Sequence, residues 1–260
     1  ASEDDTHEVA LELAAADDRL RVVRHPADIG GVANCNTALR EAEGPYVLIA
    51  GGHDLFAPDY IEKLVAELER NKKAVLAFGR MAAIDESGHP LPLSNKVLYS
   101  TDGVRSPIRR FNLALWGNAE LIHGVIRTDA IRQTDLLPTT IAPLLSYLPQ
   151  LAILGQFIYV PGTTFTRRTV RKEDYDARVG RYQRIMFGPD HGPLLLPYFH
   201  ASWQVVRVAW RTPLKGRRAR RLRWQLMLSS INILPRKWPN YGPDLRSLPD
   251  QLRERYFTQR

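Results

Sequence analysis

Only one cysteine, Cys35, occurs in the 260 residues. A lone thiol excludes an internal disulfide framework and any multi-cysteine metal centre, and it fits a reducing compartment. Long apolar runs are also missing. The longest candidate, Trp224 to Leu234, is broken by Gln225, Ser229, Ser230 and Asn232 and falls short of the roughly 18 residues that a membrane span needs. The opening Ala1-Ser2-Glu3-Asp4-Asp5-Thr6 has neither a Met nor an apolar core, which argues against a secretory leader. Acidic residues are absent between His191 and Pro243, a stretch with ten Lys and Arg; set against a chain total of +8, this leaves the remainder at −2. The basicity is local, so an anionic partner is expected for this segment rather than for the whole surface. No helix-turn-helix, aromatic RNA-binding signature or zinc module accompanies the charge, which disfavours nucleic acid.

What is present is a pattern of alternating elements. At 44% hydrophobic, the chain can bury one large core with an extension. Thr6 to Ala16 reads as a helix opened by Asp4 or Thr6, Leu20 to Arg24 as a short strand, and Val32 to Ala42 as a second helix. Tyr46-Val47-Leu48-Ile49-Ala50 is a continuous apolar run of the kind found in buried parallel strands. Pro58 precedes a helix in which Ile61, Leu64, Val65 and Leu68 recur at helical spacing, and Ala74 to Met81 gives another strand. Leu121 to Ile126 is strand-like, Leu144 to Leu154 helical despite Pro149, Phe157 to Val160 a strand, and helical patterns dominate from Lys172 onward. The alternation predicts an α/β fold, a mostly parallel sheet flanked by helices, with ligands gathering at the carboxyl ends of the strands. That rule singles out Gly51-Gly52-His53-Asp54, directly after Ala50.

Several stretches in order resemble bacterial family 2 glycosyltransferases over roughly Ala1 to Arg168. Ser2-Glu3-Asp4-Asp5-Thr6 is similar to the family's acidic loop after its second strand. Asp28-Ile29-Gly30-Gly31 followed by Asn34-Cys35-Asn36 is similar to its Asn-x-Gly-to-Asn stretch, and Glu41-Ala42-Glu43-Gly44-Pro45-Tyr46 to its Ala-x-Gly-x-Tyr lead. Gly51-Gly52-His53-Asp54 stands where the family has Asp-x-Asp-Asp. Ile126-Arg127 and Leu151 to Phe157 match two later signatures.

The resemblance implies a GT-A-like (Rossmann-like) domain over residues 1–170, with a strand, a helix and a second strand expected before Ala1, and a basic, mostly helical extension over 171–260. It implies an inverting hexosyl-type transfer from a nucleotide-sugar donor to a glycan or lipid-linked acceptor, as in cell-envelope glycan synthesis. It would place Asp4, Gly30, Asn36, Gly52, His53 and Arg127 on the substrate. His53 and Asp54 would sit on Mn²⁺ or Mg²⁺, a cation that neutralises the departing diphosphate. The family's catalytic Asp falls near Leu144, where no acid occurs, which leaves Asp135 as the nearest upstream carboxylate for the base. The family's occasional late His falls near Val170. These departures keep open a non-catalytic module of the same fold that binds a glycan, a lipid or a protein.

The residues also have plainer readings. Asp54, Asp4 and Asp5 can cap helices, Gly30 and Gly31 can serve a turn, Asn36 can start a helix, and His123, Arg109 and Arg127 can be satisfied within the core. For Arg207 to Arg223, the interleaving of Trp203, Val206, Trp210, Leu214, Leu222, Trp224, Met227 and Leu228 with arginines points to a helix lying on an anionic membrane, which would place a cytoplasmic protein at the inner face of the membrane.

Overall fold

The computed structural model describes residues 2, 4–92, 99–117, 119–168, 184–189, 194, 196–211 and 219–237. Helix α1 spans Thr6–Ala16, and Asp4 Oδ1 accepts the Thr6 N–H at 3.2 Å ahead of it. No α1 residue is buried, and Val9, Leu11 and Leu13 are exposed. The Leu20 to Arg24 stretch is not a strand. Arg19, just before it, pairs with Asp17, and Arg21 within it pairs with Glu41. Helix α2 (Gly31–Glu41) buries Val32, Asn36 and Leu39, and strand β1 is Tyr46–Leu48. Strand β2 (Leu55–Phe56) precedes α3 (Tyr60–Arg70), which buries Tyr60, Leu64 and Leu68 along one stripe.

Strand β3 (Ala74–Ile84) is buried almost throughout its first eight residues. Helix α4 (Pro107–Trp116) opens on Ser106, whose hydroxyl accepts the Arg109 N–H, with Pro107 in the first turn. A 3₁₀ turn (Ala119–His123) leads into β4 (Val125–Arg127), followed by the short α5 (Thr128–Ile131). Helix α6 (Leu144–Leu154) buries every residue from Ser146 to Ile153, and β5 runs Gln156–Arg168. Helices α7 (Pro197–Arg211) and α8 (Ala219–Lys237) close the described chain.

The sheet order is β1-β4-β3-β5-β2. The mostly parallel sheet is corrected: among the described residues only β3 and β5 pair in parallel, while β1–β4, β3–β4 and β2–β5 are antiparallel. The cause is local. The apolar run from Leu121 splits into a 3₁₀ turn and a three-residue strand that inserts, reversed, between β1 and β3. β1, β3 and β5 nevertheless run the same way, so their carboxyl ends share one edge. Where β5 bulges between Tyr159 and Thr164 opposite Gly79, a Cβ at position 79 would come within 2.8 Å of Thr163 O and the Tyr60 ring.

Helices cover both faces. One apolar cluster joins Val32, Leu39, Leu76, Phe78, Ile126, Tyr147 and Leu151; the other joins Tyr60, Leu64, Leu68, Ala77, Val125 and Phe165. A third ties α7 and α8 to the rest, through Val205, Ala209 and Leu226 against Phe111, Leu115 and Ile153. Arg110 fastens this side. Its buried guanidinium donates to Ala152 O and Ile153 O at the end of α6 and to Val104 O and Arg105 O. Burial pushes its pKa down from the usual arginine range.

Candidate functional site

The shared carboxyl edge is where the polar side chains converge. After β1 the chain turns through Gly51 to Asp54, closed by the Asp54 N–H on Gly51 O at 3.2 Å. A Cβ on Gly51 would lie 2.6 Å from Asp54 Oδ2, so glycine lets that carboxylate fold back, whereas a Cβ on Gly52 would meet nothing within 4 Å. The Asp54 side chain is only 4% exposed, and its Oδ1 accepts the Arg168 N–H at the end of β5. Arg168 in turn donates through Nε to His53 O and through Nη1 to Glu86 O, pinning the turn to β5 and to the turn after β3. The His53 imidazole is 56% exposed, with Nε2 3.7 Å from Asp54 Oδ1.

Beside this turn lies a second polar group. His123 Nδ1–H donates to Ile49 O at 2.9 Å, which directs Nε2 toward Glu120 Oε2 at 3.7 Å, and the ring stacks on Phe165 with centroids 4.5 Å apart. Glu120 is also ion-paired with Arg167 of β5. Tyr60 OH donates to His123 O from below. Glu120 and Arg167 were not among the expected site residues. Neither follows a motif, and their partnership spans 47 positions of sequence.

Two hollows lead to this edge. One, of about 540 Å³, lies between α1, the Val22–Gly31 loop and the start of α2, with Arg24, His25, Asp28 and Asn34 on its walls. The other, of about 380 Å³, runs between α2 and β1 from Gly31 and Asn34 to Ile49 and Ala50. They share Gly31 and Asn34 and so adjoin, making a path that ends at Ala50, one residue ahead of the turn that carries His53. Gly30 has a φ of 77°, donates its N–H to Asp28 Oδ1 at 2.8 Å, and lies so close to Phe187 and Gly188 that a Cβ would sit 2.4 Å from their backbone.

The expected residues divide. Gly30 lines the first hollow, while Gly52 and His53 are at the edge where the path ends. Asp4 serves the start of α1: its carboxylate accepts the Thr6 N–H, and the Thr6 hydroxyl first, with this N–H, holds it below the usual carboxylate range. Asn36 points into the core, with Nδ2 donating to Leu137 O at 2.8 Å and Oδ1 accepting the Leu137 N–H at 3.0 Å; Asn34, two residues earlier on α2, faces the hollow instead.

Arg127 pairs with Tyr46 across β1–β4, at the opposite end of β1 from the turn. It donates to Ala74 O, Leu68 O and Tyr46 OH. Placing it on the substrate is therefore corrected, because antiparallel pairing sends the end of β4 away from the carboxyl edge. Asp135 is exposed and joins α6, its N–H donating to Gln150 Oε1 at 2.8 Å. Glu120 is the carboxylate held beside His123 and Arg167.

A divalent cation does not fit these residues. Asp54, the only carboxylate of the expected pair, is withdrawn and occupied by the Arg168 N–H. Among the described residues no group of three His, Cys, Asp or Glu could hold an ion. Mn²⁺ and Mg²⁺ favour several hard oxygen ligands, and His53 supplies one nitrogen.

The family model described as Glycosyl transferase family 2 matches residues 1–136, just over half of the chain. The chain belongs to glycosyl transferase family 2. Its α/β architecture is that of the family's GT-A fold, as structural likeness confirms. Staphylococcus aureus TarS residues 1–349 in complex with UDP-GlcNAc superposes with a TM-score of 0.59 at 13% identity, covering 98% of this chain and 70% of that one. The same protein with UDP gives 0.58 at 14% identity over 89% and 59% of the two chains, and without ligand 0.56 at 12% over 95% and 69%. At these identities the likeness concerns the fold. Among curated proteins none matches this chain.

Proposed function

We propose that this family 2 chain transfers a hexosyl group from a nucleotide-sugar donor to a glycan or lipid-linked acceptor, with inversion. The observation that supports it most is the pair of adjoining hollows that leads from the Val22–Gly31 loop, past Gly31 and Asn34, to Ala50, directly before the His53 turn. Its first hollow is large enough for a nucleoside, and it ends at the carboxyl edge, where doubly wound folds hold their ligands. The relatives in fold, TarS structures, hold UDP-GlcNAc or UDP.

In this reading the nucleoside lies against Arg24, His25 and Asn34, and the diphosphate reaches the Gly52–His53 turn. The acceptor oxygen attacks the anomeric carbon as the bond to the diphosphate breaks, and Glu120, oriented by Arg167 and His123, takes the acceptor proton. The exposed His53 ring would donate a hydrogen bond to the leaving diphosphate. Calorimetric titration with UDP-GlcNAc tests this: saturable binding is expected, weakened about tenfold by Asn34→Ala. Absence of binding across uridine, guanosine, cytidine and thymidine diphosphate sugars would overturn it.

A second reading has its own support. The withdrawn Asp54 and the acid-free Leu144 position fit a non-catalytic binding module of the same fold. Glu120→Gln separates the two. A transferase loses about 10²- to 10⁴-fold in turnover with donor affinity retained, whereas a binding module shows no turnover to lose.

A further inference from the structure

The outward faces of α7 and α8 take no part in the site described above. Helix α7 buries Ala201, Val205, Val208 and Ala209, and α8 buries Leu226 and Ser230. On the opposite side, at helical spacing, α7 carries Trp203, Arg207 and Trp210, and α8 carries Arg220, Arg221, Trp224, Leu228 and Ile231, all exposed. Trp203 is 62% exposed and Leu228 59%, values unusual for side chains of this bulk. The two stripes meet where the Trp210 and Trp224 rings pack edge to face, with centroids 5.5 Å apart. They therefore form one surface across both helices.

Charge selects the partner. No carboxylate occurs anywhere from His191 to Pro243, so nothing within this segment neutralises its arginines. A basic surface with indole rings set among the guanidiniums suits the headgroup layer of a bilayer: rings settle at the interface, and long cationic side chains reach the phosphates. Among the described residues no helix is long and apolar enough to cross a membrane, so the contact would lie in the interfacial plane. We infer that the outward face of α7 and α8 docks on an anionic lipid bilayer. This rests on the surface alone and holds whichever reading of the site is right.

Flotation of the full chain with vesicles tests it. Vesicles of phosphatidylcholine with about 30% phosphatidylglycerol should carry the protein, pure phosphatidylcholine should carry far less, and tryptophan emission should shift blue on binding. Raising salt should weaken binding, and each arginine removed should cost about fivefold in partitioning. Trp203→Ala with Trp224→Ala should lower partitioning about tenfold or more, and Trp203→Ala alone about threefold while melting as the parent does, since its ring is 62% exposed. Arg207→Glu with Arg221→Glu should abolish the preference for anionic vesicles.

Several outcomes would overturn the inference. One is no flotation on anionic vesicles; another is flotation that neither pair of substitutions changes. Tighter binding to a DNA duplex than to anionic vesicles would also do so, as would self-association without lipid that Trp203→Ala with Trp224→Ala removes, which would assign the face to a second copy of the chain.

Discussion

The two ends of the β1–β4 pair treat their polar groups in opposite ways. At the Tyr46 end everything is consumed: Arg127 donates to Ala74 O, Leu68 O and Tyr46 OH, Tyr46 bonds Glu69, and Thr128 holds Pro45 O and Gly44 O. Beyond the other end, past Ala50, the His53 ring stands half in solvent and Gly52 faces open space. The same pair of strands thus separates residues that hold the fold from residues left for a ligand. Polarity alone does not distinguish the two groups; direction along the strand does.

Arg127→Ala should cost the most, about 3 kcal/mol in urea denaturation, because Leu68 O and Ala74 O lose a charged donor, while UDP-GlcNAc affinity of the folded fraction is unchanged. Lost affinity at retained stability would break the comparison. Asn36→Ala should follow at about 2 kcal/mol, leaving both Leu137 backbone groups buried and unpaired, again with donor affinity unaffected.

Tyr60 connects the core to the open edge through His123 O, and burial pushes its pKa up to about 12. The folded value lies above the unfolded one, so this stability is complete below about pH 10 and declines as pH rises toward about 12, by about 2 kcal/mol. Tyr99 and Tyr147 are shifted upward by burial as well, so Tyr60→Phe should flatten the alkaline loss in part rather than abolish it. Urea midpoints at about pH 9 and pH 11 measure the slope. The smallest expected stability change belongs to His53→Ala, under about 0.5 kcal/mol, with turnover or donor affinity reduced about tenfold. A large loss of stability there would make His53 a structural residue.

Much of this was legible in the sequence, with clear limits. α2 and α3 show in their apolar spacing, and β3 shows as a continuous apolar run, because burial on one or both faces writes itself into the pattern. The run from Leu121 to Ile126 marks a buried segment but carries no sign of its direction, so the reversed β4, and with it the orientation of Arg127, was hidden. Leu20 to Arg24 has the apolar content of a short strand, yet among the described residues it joins no strand of the sheet. The strand expected over Phe157 to Val160 runs on to Arg168, because β5 passes Pro161 and Gly162 by bulging. At the site, Gly51 to Asp54 was located by its place after an apolar strand. Composition could not tell that Asp54 faces inward, that Asn34 rather than Asn36 lines the hollow, or that Glu120 meets Arg167, since each depends on contacts between distant segments.

Hydrogen exchange with and without UDP-GlcNAc tests the central claim most directly, that the adjoining hollows between the Val22–Gly31 loop and Ala50 take a nucleotide sugar whose diphosphate reaches the His53 turn. The expected result is slower exchange at residues 22–34 and 50–54 with none at 125–128. Protection confined to the Tyr46–Arg127 end, or no protection at saturating nucleotide sugar, would contradict it.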